Sequence, residues 1–582
     1  MHNKPYPLYD RENLYDLKAI VHHSAKTNPD GEAFRYTESG ADITITYKQF
    51  KEDIDALGTA FYSLGLRGGS HIAILGENSY RWIVTAFAVM NGSNVMVPID
   101  RDLPPDTVKS LFLKADCNVL VYSDSYHDVI EQIKDALDGV TFINMKRSYP
   151  GILTLDDLSS KGRELIASGD TAFIDNEIEN TALAAIFFTS GTTGANKSVM
   201  LTHRSVAVNA IDAAKYVDPT GKVNILLLPL HHSFGFTAAI VDMLIIQSCI
   251  CINRSLKYIA DDLMKYKPTH LFLVPLFVET FVKKIADGAE KAGKAKLLGL
   301  MIKVSGFLLA LGIDLRQKLF ASVLKPFGGS LRMIICGGAF LEDRYIKYLR
   351  ALGIDVLNGY GITECSPIVT INRNRHQRDE SIGLLMPSCE MKIDDADGSG
   401  IGEMQVKGDY VMLGYYKDEQ ATKEVFEDGW FKTGDIGRID KDGFVYITGR
   451  IKNIIVLANG QNVHPEELES SLSNIPLIRE VIVREGPAEN GGANIIIAEI
   501  FPDYDTAKAQ GTDNLQEHFD QAVISYNKTV PAYKHIQRVI IRDTEFPKTT
   551  TKKIIRNVRV SYAGESCSNT VYGGRNESGY RK

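Results

Sequence analysis

Short apolar runs alternate with helix-length segments along this chain, and no other feature restricts its fold as much. In "HIAILGENSYRWIVTAFAVMNGSNVMVPID" an apolar strand is expected at Ile72–Leu75, a helix from about Tyr80 to Met90, and a second strand ending near Ile99. "LKADCNVLVYSD" adds another helix end and strand. Strands separated by crossover helices favour parallel pairing, hence an α/β fold with parallel-rich sheets. "VNILLLPL", "PTHLFLVPL" and "LRMIICGGAF" read as further buried strands. "LEDRYIKYLRALG" reads as a helix closed by glycine before the strand "IDVLNGY".

A chain of 582 residues is too long for one growing core, so more than one domain is expected. The texture changes near residue 385, where "CEMKIDDADGSGIGEMQVKGDYVMLGYY" carries short strands and turns, predicting a mainly β subdomain over 385–450. The expected division is a large N-terminal domain, 1–450, a smaller mobile α+β C-terminal domain, 451–557, and a tail, 558–582, with little to bury. A net charge of -7 gives no reason to expect nucleic acid as partner. Seven scattered cysteines without C-x-x-C spacing suit a reducing compartment. The N-terminus lacks the apolar core of a signal peptide, and no run of about eighteen apolar residues occurs, so a cytoplasmic protein is expected.

The run "FFTSGTTGANKS", Phe187 to Ser198, follows an apolar strand signal. A Walker A loop counted from Gly191 would need glycine at Asn196, so the run is not a Walker A loop. Thr189, Ser190, Thr192 and Thr193 offer hydroxyl and amide donors to phosphate oxygens, Gly191 and Gly194 allow tight turns, and Lys197 adds positive charge. The run resembles the signature T-S-G-T-T-G-x-P-K-G of the adenylate-forming enzymes, the acyl-CoA synthetases and their luciferase and peptide-synthetase relatives. It departs at Asn196 for proline and at Ser198 for glycine.

Further segments match in family order over some 370 residues. "CGGAF" resembles the stretch passing beside adenine and the acyl pocket, which implies Gly337, Gly338 and Ala339 at the nucleotide and Cys336 at the acyl group. In "NGYGITE" the resemblance implies Tyr360 stacked on adenine beside Gly361, Thr363 near phosphate and Glu364 holding magnesium. An aromatic face suits a base, and a hard carboxylate suits Mg²⁺. Asp435 of "DGWFKTGDIG" resembles the aspartate that accepts both ribose hydroxyls. Arg450 falls near ribose or phosphate, and Lys452 at the interdomain pivot, followed by Asn453 where an acid is usual. "FPKTTTKKIIR" resembles the terminal pattern P-K-T-x-x-G-K-I-x-R, with Lys552 in place of glycine and Lys553 at the catalytic lysine.

The resemblance implies a two-step reaction using ATP, Mg²⁺ and CoA. A carboxylate attacks the α-phosphate and expels pyrophosphate; the acyl-adenylate then meets a thiol and AMP leaves. No enzyme nucleophile is required, so alignment and electrostatics must carry catalysis, through Thr189, Lys197, Glu364 and Lys553. "PLHHSFGFTAAIVDML" matches the acyl-pocket region, with His232 on the substrate side. The basic and apolar insertion 289–328 resembles the layout of the long-chain fatty acyl-CoA synthetases. That insertion can rest on a bilayer surface as a peripheral contact, here the inner membrane surface, or pack internally. An aryl or medium-chain acid, transfer to a carrier protein, and a catalytically poor nucleotide-binding protein stand as alternatives, and the oligomeric state is open.

Overall fold

The computed structural model describes residues 5–190, 196–219, 221–457, 462–487, 494–548 and 554–556. The predicted strand, helix and strand of the opening unit form at His71–Leu75, Tyr80–Asn91 and Val95–Ile99. Ser79 starts the helix by accepting the Trp82 N–H, and Trp82 and Phe87 are buried beneath it. His71–Leu75 pairs in parallel with Val95–Ile99 on one side and with Val119–Tyr122 on the other. These strands belong to an eight-stranded sheet that continues through Leu183–Ser190 and Asn196–Thr202 to Gly414–Tyr415.

A nine-stranded sheet holds the later units. Asp355–Gly361, Met333–Cys336, His270–Leu273, Val223–Leu226, Cys249–Ile252 and Glu32–Glu38 lie side by side in parallel, with antiparallel strands at its two edges. The apolar run "VNILLLPL" is a strand only over Val223–Leu226. Pro229 then turns the chain so tightly that a Cβ on Gly235 would lie 2.2 Å from the Pro229 carbonyl oxygen.

One continuous apolar core joins the two large sheets. Phe187 and Val199 from the first meet Phe272, Ile335 and Leu357 from the second through intervening helices, including Tyr47–Ser63 and His203–Tyr216. A second core covers the opposite face of the nine-stranded sheet with Leu271, Leu273, Ile334 and Cys336. The insertion 289–328 is helical: Pro275–Lys291 leads into Ala295–Ala310, followed by the short turns Arg316–Leu319 and Ala321–Leu324.

Beyond residue 385 the chain builds an antiparallel five-stranded sheet from Cys389–Asp394, Gly402–Gly408, Phe426–Glu427, Trp430–Ile439 and Val445–Arg450. Gly414–Tyr415 leaves this sheet and pairs with Asn196–Thr202. A smaller α+β unit follows, in which Ile478–Gly486 and Ile495–Pro502 pair antiparallel and Arg538–Ile541 adds in parallel. Helices Pro465–Leu472 and Leu515–Asn527 cover it through Leu468, Leu472, Phe519 and Val523. The tail 558–582 lies outside the described residues.

Candidate active site

In open α/β sheets, ligands gather at the carboxyl ends of parallel strands. Asp355–Gly361 ends in Tyr360 and Gly361 at that edge. Gly361 is needed there because a Cβ would sit 2.2 Å from the Pro367 carbonyl oxygen. The Tyr360 hydroxyl donates to Asp435 Oδ2 at 2.5 Å, and Arg450 Nε lies 2.6 Å from Asp435 Oδ1. Asp435 and Arg450 stand opposite each other on paired antiparallel strands, so backbone register sets their contact. Burial, reinforced by the Asp435 carboxylate, pushes the Tyr360 phenol well above its ordinary pKa. Burial opposes the charge on Arg450, but Asp435 outweighs it and keeps the guanidinium ionised. A half-exposed base, a buried acid and an aromatic ring thus meet where the nine-stranded and five-stranded sheets approach.

A second constellation joins three distant segments. Leu183–Ser190 and Asn196–Thr202 are antiparallel neighbours that place Thr189 opposite Lys197 and Ser190 opposite Asn196. The signature run therefore bridges two strands, whereas a Walker loop leads from a strand into a helix. Lys197 Nζ donates to the Tyr415 hydroxyl at 3.2 Å and lies 4.2 Å from the centre of its ring. That hydroxyl donates in turn to Glu364 Oε1 at 3.0 Å. The other Glu364 oxygen, Oε2, has no hydrogen-bond partner among the described residues. A hard carboxylate beside a lysine that can face phosphate has the chemistry that would suit a divalent cation. Tyr415 was not among the residues that the motifs singled out. Its signal in the sequence is no more than the "GYY" that closes a β-rich stretch, and only its pairing with the signature strand gives it a role.

Thr363 Oγ1 accepts from the Ser233 hydroxyl at 3.1 Å, tying the "GITE" turn to the segment that carries His232. Burial lowers the pKa of His232 against the opposing pull of Asp100, and burial, with His232 and Arg101 nearby, lowers that of His231. His231 Nε2 lies 3.3 Å from Asp100 Oδ1, and the two histidine rings are 4.3 Å apart between centres. His231 is thus seated beside a carboxylate, a partner that the local sequence does not reveal.

Gly337 is buried, while Gly338, held at φ +88°, and Ala339 are exposed at the same edge. Behind Gly337 stands the Phe234 ring, 3.5 Å from where a Cβ would be, and Phe234 packs edge-on against Phe272 at 6.3 Å. Beyond Phe272 lies a narrow apolar cavity of about 10 Å³, walled by Met243, Ile246, Ile335, Ile368 and Ile371, with Asp242 and His270 in its lining. Cys336 was expected at the acyl group. Its side chain instead packs on the opposite face of the sheet, with Leu273 and Ile334, because alternate residues of a strand point to opposite faces; Ile335 is the one that turns to the cavity.

Lys452 is exposed in the short turn Ile451–Asn453 between the two parts of the chain. Asn453 Nδ2 donates to Glu466 Oε1 at 2.5 Å, so an amide suits a place where an acid would meet a like charge. Gly191, Thr192, Thr193, Gly194, Lys552 and Lys553 lie outside the described residues, and Ser190 is described through its backbone. The flanks of the Lys553 segment are tied to the C-terminal unit: Lys548 pairs with Glu480 and with Glu545, and Arg556 with Glu469.

The sequence profile described as AMP-binding enzyme matches residues 21–416, and that described as AMP-binding enzyme C-terminal domain matches 452–564. The chain is similar to the long-chain-fatty-acid–CoA ligase FadD15 of Mycobacterium bovis, at 28% identity over 95% of this chain and 96% of the relative. It is also similar to the chloroplastic long-chain-fatty-acid–[acyl-carrier-protein] ligase AEE15 of Arabidopsis thaliana, at 28% identity over 78% and 72% of the two chains. Among solved structures, the anthranilate CoA ligase AuaEII in complex with anthranoyl-AMP aligns with a TM-score of 0.74 at 19% identity, over 94% of this chain and 96% of the other.

Proposed function

Since this chain belongs to the AMP-binding enzymes, we propose that it joins a long-chain aliphatic carboxylic acid to CoA at the expense of ATP. In the first half-reaction a carboxylate oxygen bonds to the α-phosphorus of ATP and the bond to pyrophosphate breaks, leaving acyl-AMP. In the second, the CoA sulfur bonds to the acyl carbon, its proton is lost, and AMP departs with the electron pair of the broken C–O bond.

The Tyr360–Asp435–Arg450 cluster carries this reading. The Tyr360 ring offers a face for adenine, and Asp435 takes ribose hydroxyls by exchanging the hydrogen bond it now accepts from Tyr360. Arg450 holds the Asp435 carboxylate in place for that task through their ion pair. Lys197, held against Tyr415, directs positive charge at the phosphates, and Thr189 beside it adds a hydroxyl. Glu364 would hold Mg²⁺, which supplies neutralisation of phosphate charge when bound. Lys553 serves adenylation, and rotation about Lys452 withdraws it before the thiol arrives. The domain division falls at that pivot, with 1–450 before it and 451–557 beyond.

Two observations support a long aliphatic acid. The space behind Gly337 is lined mostly by aromatic and aliphatic side chains, with Asp242 and His270 in its wall, and FadD15 resembles this chain over nearly its full length. The cavity takes about one water in its present form, so a long chain must displace Phe234 and Phe272 to enter. Pyrophosphate release measured over a panel of acids, with thioester detected afterwards, tests the proposal. Each methylene is worth roughly 0.8 kcal/mol, so kcat/KM should climb about tenfold per two carbons until the tunnel fills. Turnover highest for acetate or benzoate would refute the long-chain reading. Acyl-AMP that passes to a carrier protein and not to CoA would refute the acceptor.

A further inference from the structure

The helix Ala295–Ala310 exposes what a helix of a globular protein normally hides. Leu298 and Ser305 turn inward and are buried. On the far side Leu297, Leu300, Val304, Phe307 and Leu311 are exposed, with Phe307 at 65% and Leu300 at 59%. Their spacing of three and four residues stacks them in one stripe, an arc of about 80° at 100° per residue. Lys296 and Lys303 border that stripe along one side. The apolar surface continues past the helix through the exposed Ile313 and Leu315. From Lys291 to Ile313 the chain carries four lysines, at 291, 294, 296 and 303, and no acidic residue.

We propose that this helix lies in the interface of an anionic lipid bilayer, with the stripe entering the acyl region and the lysines reaching back to headgroup phosphates. The charge pattern selects this occupant. A second copy of the chain packed stripe to stripe would bring lysines together without an acid to pair them, whereas an anionic surface meets every lysine with opposite charge. Long lysine stems can lie along apolar surface while their ammonium groups stay in water, which suits lysines at the edge of an inserted stripe. Among the described residues no helix is long and apolar enough to cross a membrane, so the contact is a lying one. A surface where fatty acids partition would give the site a concentrated supply of acid. That benefit rests on the proposed function; the lipid contact does not.

Cosedimentation of the full chain with vesicles of phosphatidylcholine alone, or with about one third phosphatidylglycerol, tests the proposal. The wild type should partition at least tenfold more strongly to the anionic vesicles, and this preference should fall as salt rises. Leu300→Glu with Phe307→Glu should abolish binding, and Lys296→Glu with Lys303→Glu should remove the anionic preference, with thermal melts within a few degrees of wild type in both pairs. Pyrophosphate release with a water-soluble short-chain acid runs in parallel, so that loss of lipid binding and failure of the proposed reaction are read separately. Wild-type protein that ignores both vesicles, or a glutamate pair that binds as well as wild type, overturns the proposal. So does a wild-type dimer in light scattering that becomes monomeric in Leu300→Glu with Phe307→Glu, which assigns the stripe to a second copy.

Discussion

Replacing Tyr415 by Phe isolates one oxygen at the junction of three segments. That hydroxyl accepts from Lys197 at 3.2 Å and donates to Glu364 at 3.0 Å, while the ring beneath Lys197 would survive the change. Both bonds involve a charged partner, a class worth roughly 1.5–3 kcal/mol each. Glu364 also gains freedom to rotate away from the phosphate site. If one such contact is realised in the transition state for adenylation, kcat/KM should fall roughly 10- to 100-fold, at about 1.4 kcal/mol per decade. Folding should be little affected, because the ring fills the same space, and the second half-reaction from supplied acyl-adenylate should be nearly unchanged. The assay is pyrophosphate release as a function of ATP and Mg²⁺. The Mg²⁺ concentration at half-maximal rate should rise, since the residue that loses its anchor is the carboxylate assigned to the metal. A Tyr415→Phe enzyme with wild-type adenylation and wild-type Mg²⁺ dependence would refute the view that Lys197, Tyr415 and Glu364 act as one unit.

Two further outcomes are expected. Lys553→Ala should slow adenylation by about 100-fold while leaving thioester formation from supplied acyl-adenylate near its normal rate, and Lys552→Ala should cost far less; equal losses in both half-reactions would defeat this division of labour. Burial raises Asp242 from the ordinary carboxylate value of 3.8 to about 8, so its contribution to stability is full below about pH 4 and is lost as pH rises through 8. Asp242→Asn should therefore flatten the fall in Tm between pH 5 and pH 8.5, removing a dependence whose ceiling is on the order of 5 kcal/mol; parallel Tm curves for the two proteins would show that Asp242 does not titrate there.

The sequence by itself determined the alternation that builds parallel sheets, because the period of apolar residues is a local property and so are glycine and proline signals. The resemblance to the adenylate-forming enzymes added Tyr360, Glu364, Asp435 and Arg450, each standing in a short run. Tertiary structure decided which of these meet. Tyr360 and Asp435 are 75 positions apart and touch because two sheets converge, and Arg450 joins them through strand register. Tyr415 reaches Lys197 across 218 positions and Glu364 across 51, a contact that no local pattern encodes. Cys336 and Ile335 are adjacent, yet only one faces the cavity, because a strand turns successive side chains to opposite sides and its register against its neighbours fixes which is which. The helix Ala295–Ala310 makes the same point from the outside: its composition left a packed pair and a membrane contact equally open, and the fold buried one side while leaving the leucine and phenylalanine stripe in solvent. Composition sets how much apolar surface a helix has, but only the packing of its neighbours determines how much of that surface stays uncovered.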